Sequence, residues 1–288
     1  MSPTATQPAV ERTLPFAAEA ILARASRENF PVALRLLGRD VRAHLLAIYG
    51  FARLVDELGD SAAGDRSALL DRLEEDLDRA FAGKPEHPLL RALAPTVRSL
   101  DLPRAPFARL IEANRRDQVQ ERYATLADLV DYCRLSANPV GELVLHVYGA
   151  ATPERIAYSD AVCTALQLVE HWQDVGEDFR SGRIYLPEED LRRFGVREAD
   201  LASAATSVPL RRLLAFEVGR AQSLLDEGAP LVGSLQGRPR VAVAGYVGGG
   251  RAAIAALRHA DFDVLAATPR ASAALRLRAI GATLWRGR

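Results

Sequence analysis

Two pairs of aspartates, each with three residues between its members, are the part of this sequence best suited to chemistry. The first pair is Asp56 and Asp60, and the second is Asp174 and Asp178. Carboxylate oxygens with no cysteine among them favour a hard cation, above all Mg²⁺, which keeps several waters and is typically shared with substrate phosphates. The single His171 beside the second pair does not make a zinc site. The aspartates therefore predict a Mg²⁺ site that handles a diphosphate.

Each pair belongs to a polar stripe on a helix. At about 100° per residue, side chains at offsets 0, 4, 7 and 11 share an arc of roughly 60°. The first stripe consists of Tyr49, Arg53, Asp56 and Asp60. The same offsets in the second segment give Gln167, His171, Asp174 and Asp178, with Glu170 and Glu177 beside them. A solvated helix face is the alternative, because like charges four residues apart cost only about a few tenths of a kcal/mol.

Apolar residues surround both stripes and favour an interior position for the two helices. On the first helix they are Leu45, Ile48, Leu54, Val55 and Leu58, and on the second Leu166, Leu168, Val169, Trp172 and Val175. Buried carboxylates are costly unless they are paired or bound to metal. The pattern therefore predicts a helical cavity with both aspartate pairs, Mg²⁺ ions and a diphosphate that departs while the metals absorb its charge. Arg53 would add a bidentate phosphate contact.

Helical periodicity extends over nearly the whole chain after Phe16, with strong helix formers and few β-branched alternating runs. We predict an all-α fold of roughly eight to ten helices, with residues 1–14 as a flexible tail and residues 15–288 as a single domain. The segment Asn138–Gly141 should interrupt a helical stretch, and Pro187 should end the helix that starts near Pro153.

Composition excludes several classes of function. The chain of 288 residues has 37 basic and 37 acidic side chains, and zero net charge argues against a dedicated nucleic-acid binder. Its two cysteines, Cys133 and Cys163, do not form a disulfide framework or a zinc motif, which favours a reducing compartment. We find neither a signal peptide nor an apolar stretch long enough to span a bilayer, so we expect a cytoplasmic protein.

Three segments of the chain together resemble the squalene/phytoene synthase family over roughly residues 19–278. They are Tyr49–Asp60, Tyr132–Gly141 and Gln167–Pro187. The resemblance implies an isoprenoid-synthase-type helical bundle around a central cavity, with the two aspartate motifs on opposite walls. It also implies two or three Mg²⁺ ions held by Asp56, Asp60, Asp174 and Asp178, and prenyl diphosphates as substrates.

Within the family, the chain looks most like the hopanoid-pathway branch, the hydroxysqualene synthases. The segments that suggest this are Glu28–Ala33, Ser136–Gly141 and Trp172–Asp174. That branch ionises presqualene diphosphate and captures the rearranged cation with water. It needs no NADPH, and we find no glycine-rich dinucleotide motif. The branch also implies coupling to other hopanoid-pathway enzymes. The alternatives are a squalene or phytoene synthase that condenses two prenyl diphosphates and, more remotely, a non-catalytic helical assembly factor.

Departures from the family pattern favour the branch that handles one diphosphate. The first motif has Glu57 at its second position. Members that condense two substrates commonly have Asn where this chain has Glu170 and Arg where it has Gln173. The Ser-x-Ser that often contacts diphosphate is replaced by a segment that ends at Asn29.

The resemblance assigns roles to further residues. Tyr49 joins the four aspartates as a catalytic residue. The predicted substrate and diphosphate ligands are Asn29, Arg53, Asn138, Gln167, Glu170, His171, Arg183 and Tyr185. Several of these have a structural alternative: Arg53 in an ion pair within its helix, Tyr49 and His171 as core residues, Asn138 at a helix break, and Arg183 and Tyr185 at a helix end.

The C-terminal segment, residues 265–288, is basic. It could contact the inner face of an anionic membrane, which would suit lipophilic substrates, or be a solvated helix face. Arg270, within this segment, could face the cavity.

Overall fold

A computed structural model describes residues 14–16, 18, 21 and 38–287, and within that part of the chain every element is a helix. The first seven are α1 (Arg39–Asp60), α2 (Arg66–Phe81), α3 (Pro88–Leu100), α4 (Arg104–Asp117), α5 (Leu126–Ser136), α6 (Asn138–Val147) and α7 (Pro153–Gln173). The others are α8 (Val175–Arg180), α9 (Glu188–Phe194), α10 (Glu198–Leu201), α11 (Val208–Gly228), α12 (Pro230–Ser234), α13 (Gly237–His259) and α14 (Ala273–Arg286). The all-α prediction is confirmed.

The prediction of eight to ten helices was too low, because short helices connect the long ones. The helix that begins at Pro153 ends at Gln173 rather than at Pro187, and Asp174 separates it from α8. Helix α8 is followed by Gly182, whose φ of 87° is a left-handed conformation that glycine adopts at little cost. The chain therefore leaves the helix before Pro187 is reached.

The predicted interruption between α5 and α6 is confirmed. Helix α5 begins with a capping box in which the side chains of Thr125 and Asp128 satisfy each other's backbone N–H groups. Helix α6 begins at Asn138 and has Pro139 in its first turn, where a proline costs no hydrogen bond. Near this break, Gly141 lies so close to α7 that a Cβ there would come within 2.3 Å of Ser159 Oγ.

Two hydrophobic clusters form the core, and α6 contributes to both. The first core cluster is built mainly by α1–α4, and the second core cluster by α5, α7–α9 and α11–α13. Helix α1 belongs to the first core cluster, where Leu54, Val55 and Leu58 are fully buried, and α7 belongs to the second through Leu168 and Trp172. The prediction that both stripe-bearing helices lie in the interior is confirmed, so burial of about 1.5–3 kcal/mol per large apolar side chain holds each stripe in place.

No helix in the described part of the chain is long and apolar enough to cross a membrane. Cys133 and Cys163 are both free thiols. The division into a tail and a single domain stays a prediction, since residues 1–13 lie outside the described part.

Candidate active site

The polar stripe of α1 places a guanidinium among carboxylates. Arg53 Nη1 lies 3.7 Å from Asp56 Oδ2, and its Nη2 lies 3.4 Å from Glu57 Oε1. The ion pairs within the helix that were the structural alternative for Arg53 are therefore present. Tyr49 is half-buried one turn earlier, and Asp60 is exposed at the end of the helix.

Asp56 is partly buried on the polar stripe of α1. Loss of bulk solvent raises the pKa of its carboxyl to about 7, the guanidinium of Arg53 opposes that rise, and the charges of Asp60 and Asp117 add to it. About half of the Asp56 side chain (49%) is still open to solvent.

Asp117 is a site residue that the sequence analysis missed. It ends α4, which is held against α1 by a hydrogen bond of 3.0 Å from Gln118 Nε2 to the carbonyl of Gly59. The Tyr132 hydroxyl donates to Asp117 Oδ2 at 2.8 Å, while Oδ1 is buried without a hydrogen-bond partner in the described part of the chain. Burial raises the pKa of the Asp117 carboxyl. The local sequence, two arginines followed by this aspartate, looked like an ordinary charged surface.

Arg183 connects the first aspartate pair to the segment that follows α8. Its Nη2 donates to Asp60 Oδ1 at 3.0 Å, although 123 residues separate the two in sequence. The segment also contains Tyr185, which is buried and whose ring stacks on that of His171 at 3.6 Å between centroids. The alternative in which these two residues only end a helix is wrong, because the helix ends before them and both side chains contact residues of the two stripes.

His171 links a cavity residue to the second aspartate pair. Its Nε2 lies 3.1 Å from Gln167 Nε2, and its Nδ1 lies 3.8 Å from Asp178 Oδ2. The imidazole is buried and stacked on Tyr185, so His171 is a core residue that also lies next to two other members of the second stripe. Its role as a substrate ligand stays a prediction.

Asp174 lies at the break between α7 and α8, and a C-terminal arginine faces it. Burial is the main reason that the pKa of the Asp174 carboxyl is raised; Asp178 and Glu177 add to it, and Arg270 opposes it. The neighbouring Gln173 donates through Nε2 to the carbonyl of Pro269. This residue, which departs from the family pattern, therefore holds the segment that brings Arg270 to the aspartates.

An apolar cavity of about 360 Å³ adjoins the second stripe. Its wall comes from α5–α7, α12 and α13, and its apolar lining includes Val140, Val144, Val162, Leu166, Leu231 and Val243. Ser159, Gln167 and Glu170 are polar residues of α7 in this wall. Gln167 contacts His171 and His171 approaches Asp178, so a series of side-chain contacts links the cavity wall to the second aspartate pair. The cavity volume is in the usual range for ligand pockets.

Two further predicted substrate ligands are Asn138 and Asn29. Asn138 is buried and accepts a hydrogen bond of 3.0 Å from Thr164 Oγ1, so it fastens α6 to α7 and shapes the helix break. It is absent from the cavity lining, which favours its structural alternative. Asn29 lies outside the described residues.

The donor set fits Mg²⁺ better than any softer metal. The oxygens at hand are carboxylates, and Asp178 Oδ2 is buried without a hydrogen-bond partner in the described part of the chain. Within that part, no three Asp, Glu, His or Cys side chains are assembled tightly enough to hold an ion by themselves. Mg²⁺ fits such an open arrangement because it keeps waters and takes ligands from substrate phosphates.

Comparison with known proteins agrees with this geometry. The sequence profile of the squalene/phytoene synthases matches residues 23–278. The chain belongs to the squalene/phytoene synthase family. Its members are enzymes that process prenyl diphosphates, and the helical isoprenoid-synthase fold expected for it is confirmed.

Relatives in the family come from two of its branches. The hydroxysqualene synthase of Zymomonas mobilis is 37% identical over 206 residues, which cover 70% of this chain and 69% of that one. The phytoene synthase of Mycobacterium tuberculosis is 32% identical over 242 residues, which cover 82% of this chain and 80% of that one.

Two solved structures show the same squalene/phytoene synthase architecture. The squalene synthase HpnC from Alicyclobacillus acidocaldarius has a TM-score of 0.80 and 46% identity, over 85% of this chain and 94% of that one. A dehydrosqualene synthase solved with a ligand has a TM-score of 0.84 at 24% identity, over 93% of this chain and 95% of that one, and supports the fold alone. The non-catalytic assembly factor is set aside, since the family consists of enzymes.

Proposed function

We propose that this squalene/phytoene synthase is a hydroxysqualene synthase, which converts presqualene diphosphate and water to hydroxysqualene and diphosphate. The observation that carries the proposal is the position of Glu170 and Gln173. Glu170 lines the cavity, and Gln173 is bonded to the Pro269 carbonyl. A carboxylate in the wall and no arginine at 173 suit a site for one diphosphate, because a second one would meet negative charge.

Asp56, Asp60, Asp174 and Asp178 would hold Mg²⁺, which supplies the positive charge that a departing diphosphate requires. Arg53 and Arg183, which contact Asp56 and Asp60 of the first aspartate pair, would bind phosphate oxygens. Arg270, whose charge acts on the Asp174 carboxyl, would do so on the side of the second pair. These three arginines would orient the diphosphate at the polar end of the site.

The cavity wall would then control the fate of the carbocation. Its apolar side chains hold the two hydrocarbon arms of the substrate and exclude bulk water. The Glu170 carboxylate, in that wall, would stabilise positive charge on carbon and accept a proton from the one water that adds. The C–O bond to diphosphate breaks, a new C–O bond forms with water, and no electrons are exchanged, so no NADPH is needed.

The test is to incubate the purified protein with presqualene diphosphate and Mg²⁺, without NADPH, and to analyse the products. We expect hydroxysqualene and diphosphate, and no reaction when EDTA is present. Absence of turnover with or without NADPH would overturn the proposal.

A second candidate is condensation of two prenyl diphosphates, which is supported by the similarity to phytoene synthases. Incubation with farnesyl or geranylgeranyl diphosphate alone separates the two functions, because only a condensing enzyme releases diphosphate from these substrates. We expect no release.

A place in hopanoid biosynthesis follows from the proposed reaction. An enzyme that joins two prenyl diphosphates must supply the substrate, and one that removes the hydroxyl group must consume the product. We propose that the protein works with such enzymes on the cytoplasmic side of the membrane.

A further inference from the structure

The outward face of α14 exposes two large apolar side chains. Leu277 is 70% exposed and Trp285 is 72% exposed. At about 100° per residue, these two and Arg278 lie within an arc of roughly 100° on the helix. The opposite face is attached to α13: Arg251 Nη1 donates to Thr283 Oγ1 at 2.9 Å, and Arg240 Nη2 donates to the carbonyl of Leu284 at 3.0 Å. The outward direction of Leu277 and Trp285 is therefore fixed.

The segment that contains α14 is strongly positive in a chain whose net charge is zero. Residues 264–288 include five arginines and no aspartate or glutamate. Arg278 and Arg286 are exposed on α14 itself, adjacent to the two apolar side chains. Such a face is complementary to an anionic surface with an apolar layer beneath it.

The end of α14 adjoins the wall of the cavity. Gly287 packs directly against Val232 and Gly233 of α12. The neighbouring Leu231 of α12 lines the cavity, as does Val243 of α13. Gly287 is only two residues from the exposed Trp285, so the end of the outward face lies near the cavity wall.

We propose that α14 is an interfacial helix that binds the surface of an anionic phospholipid bilayer. Leu277 and Trp285 enter the boundary between headgroups and acyl chains, where tryptophan is favoured, and the arginines bind lipid phosphates. Helix α14 lies flat on the bilayer, and no helix of the described chain crosses it. The inference rests on the surface alone and does not depend on the reaction proposed above.

A second copy of the chain is a poorer occupant of this face. A two-fold dimer would bring like-charged arginines together, and two large apolar side chains per protomer fall far short of the about 800 Å² per partner that a stable interface buries. An anionic bilayer satisfies the charge and the apolar contact together.

The test is co-sedimentation of the whole protein with vesicles of phosphatidylglycerol and phosphatidylcholine, compared with vesicles of phosphatidylcholine alone. We expect binding to the anionic vesicles that weakens as salt is added. We also expect a blue shift of tryptophan emission. The shift reports Trp285, because the other tryptophan, Trp172, is fully buried.

Variants assign the binding to this face. Leu277→Glu and Trp285→Glu should abolish co-sedimentation, and Arg278→Gln should weaken it about five-fold, the equivalent of about 1 kcal/mol per basic residue. Trp285→Phe should lose the spectral shift and keep most of the binding. Val208→Glu, at an apolar residue that is 61% exposed on α11, is the matched control and should bind like the unchanged protein.

Three results would overturn the proposal. They are failure to sediment with anionic vesicles, equal binding by the Leu277→Glu and Trp285→Glu variants, and a dimer in solution that these two variants dissociate. Thermal unfolding of each variant checks that it is folded, as expected for substitutions on an exposed face.

Discussion

Two of the four stripe aspartates, Asp56 and Asp174, are distinguished from ordinary surface charge by what surrounds them. Asp56 and Asp174 both have carboxyl pKa values raised by burial, and each lies beside its like-charged partner. Carboxylates that a fold keeps close together at a cost are typical of functional sites. At the scale of the residue, the structure therefore separates these side chains from ordinary surface charge.

Asp174→Asn should abolish nearly all turnover, by about a thousand-fold or more, because loss of a metal ligand removes several kcal/mol of stabilisation from the departing diphosphate. Diphosphate release from presqualene diphosphate, measured at saturating Mg²⁺, checks this. Asp131→Asn is the control, since Asp131 is exposed and pairs only with the exposed Arg134 among the described residues. Equal activity of the two variants would contradict the assignment.

Glu170→Gln tests the role of the cavity wall in capture of the cation. We expect less hydroxysqualene and more hydrocarbon or rearranged products. The rate of hydroxysqualene formation should fall further than the rate of diphosphate release. The reason is that ionisation depends on the aspartates, whereas water capture depends on the proton acceptor. Product analysis beside diphosphate release gives the two rates. An unchanged product ratio would show that Glu170 does not direct the water.

At the scale of elements, one buried cluster fastens α9 to α11. Arg220 Nη1 contacts Asp190 Oδ2 at 2.5 Å and Glu217 Oε1 at 3.0 Å, and Glu217 is fully buried. Burial, together with the neighbouring Asp190, raises the pKa of the Glu217 carboxyl to about 8. The cluster is remote in function from the aspartate stripes and bears on stability alone.

The free energy of unfolding should depend on pH through Glu217. Its carboxyl keeps its proton in the folded chain up to about pH 8, whereas the unfolded chain loses it near 4.5. Stability should therefore fall as pH rises between these values, by at most about 1.4 kcal/mol per pH unit. Denaturant unfolding of Glu217→Gln should show a smaller pH slope than the unchanged protein. The exposed Glu227→Gln, on the same helix, should keep the original slope.

The contact between α6 and α7 predicts a second effect on stability. A Cβ at Gly141 would come within 2.3 Å of Ser159 Oγ and 2.5 Å of Cys163 Sγ. Gly141→Ala should therefore lower the free energy of unfolding by about 1–3 kcal/mol. Gly245→Ala in α13 is the matched control: nothing lies within 4 Å of a Cβ there, so it should stabilise by up to about 1 kcal/mol. Stabilisation by both variants would contradict the close packing.

At the scale of the whole molecule, the site joins the two core clusters. Asp56 and Asp60 are carried by α1 of the first core cluster, and Asp174 follows α7 of the second. Arg183 and Asp117 bring the two sides together by contacts with Asp60 and Tyr132. A ligand that binds both sides should stabilise the molecule as a unit.

Mg²⁺ and inorganic diphosphate, added together, should raise the melting temperature by several degrees. A ligand at about a hundred times its dissociation constant contributes about 2.7 kcal/mol, and EDTA should reverse the shift. Scanning calorimetry measures it, with Asp174→Asn as the variant that should lose the gain. A shift retained in that variant would place the binding elsewhere.

Sequence alone identified the helices, both stripes and the family, because helical periodicity and motif spacing are local properties of the chain. It also identified the α5–α6 break, since a proline after an asparagine has a local effect on backbone conformation. It predicted one helix from Pro153 to Pro187, whereas α7 ends at Gln173 and the chain leaves α8 at Gly182, whose positive φ has no marker in the sequence beyond glycine itself.

Only the tertiary structure identified Asp117 as a residue near the site, because its neighbours Arg115 and Arg116 suggested an ordinary charged surface. Only the tertiary structure showed that His171 lies between Gln167 and Asp178. It also decided that Gln173, a departure in the motif, positions the segment of Arg270. These contacts join residues far apart in the chain, and they depend on which helix faces pack together. The way in which helices pack against one another determines which residues form such pairs, and the periodicity of a single helix does not contain that information.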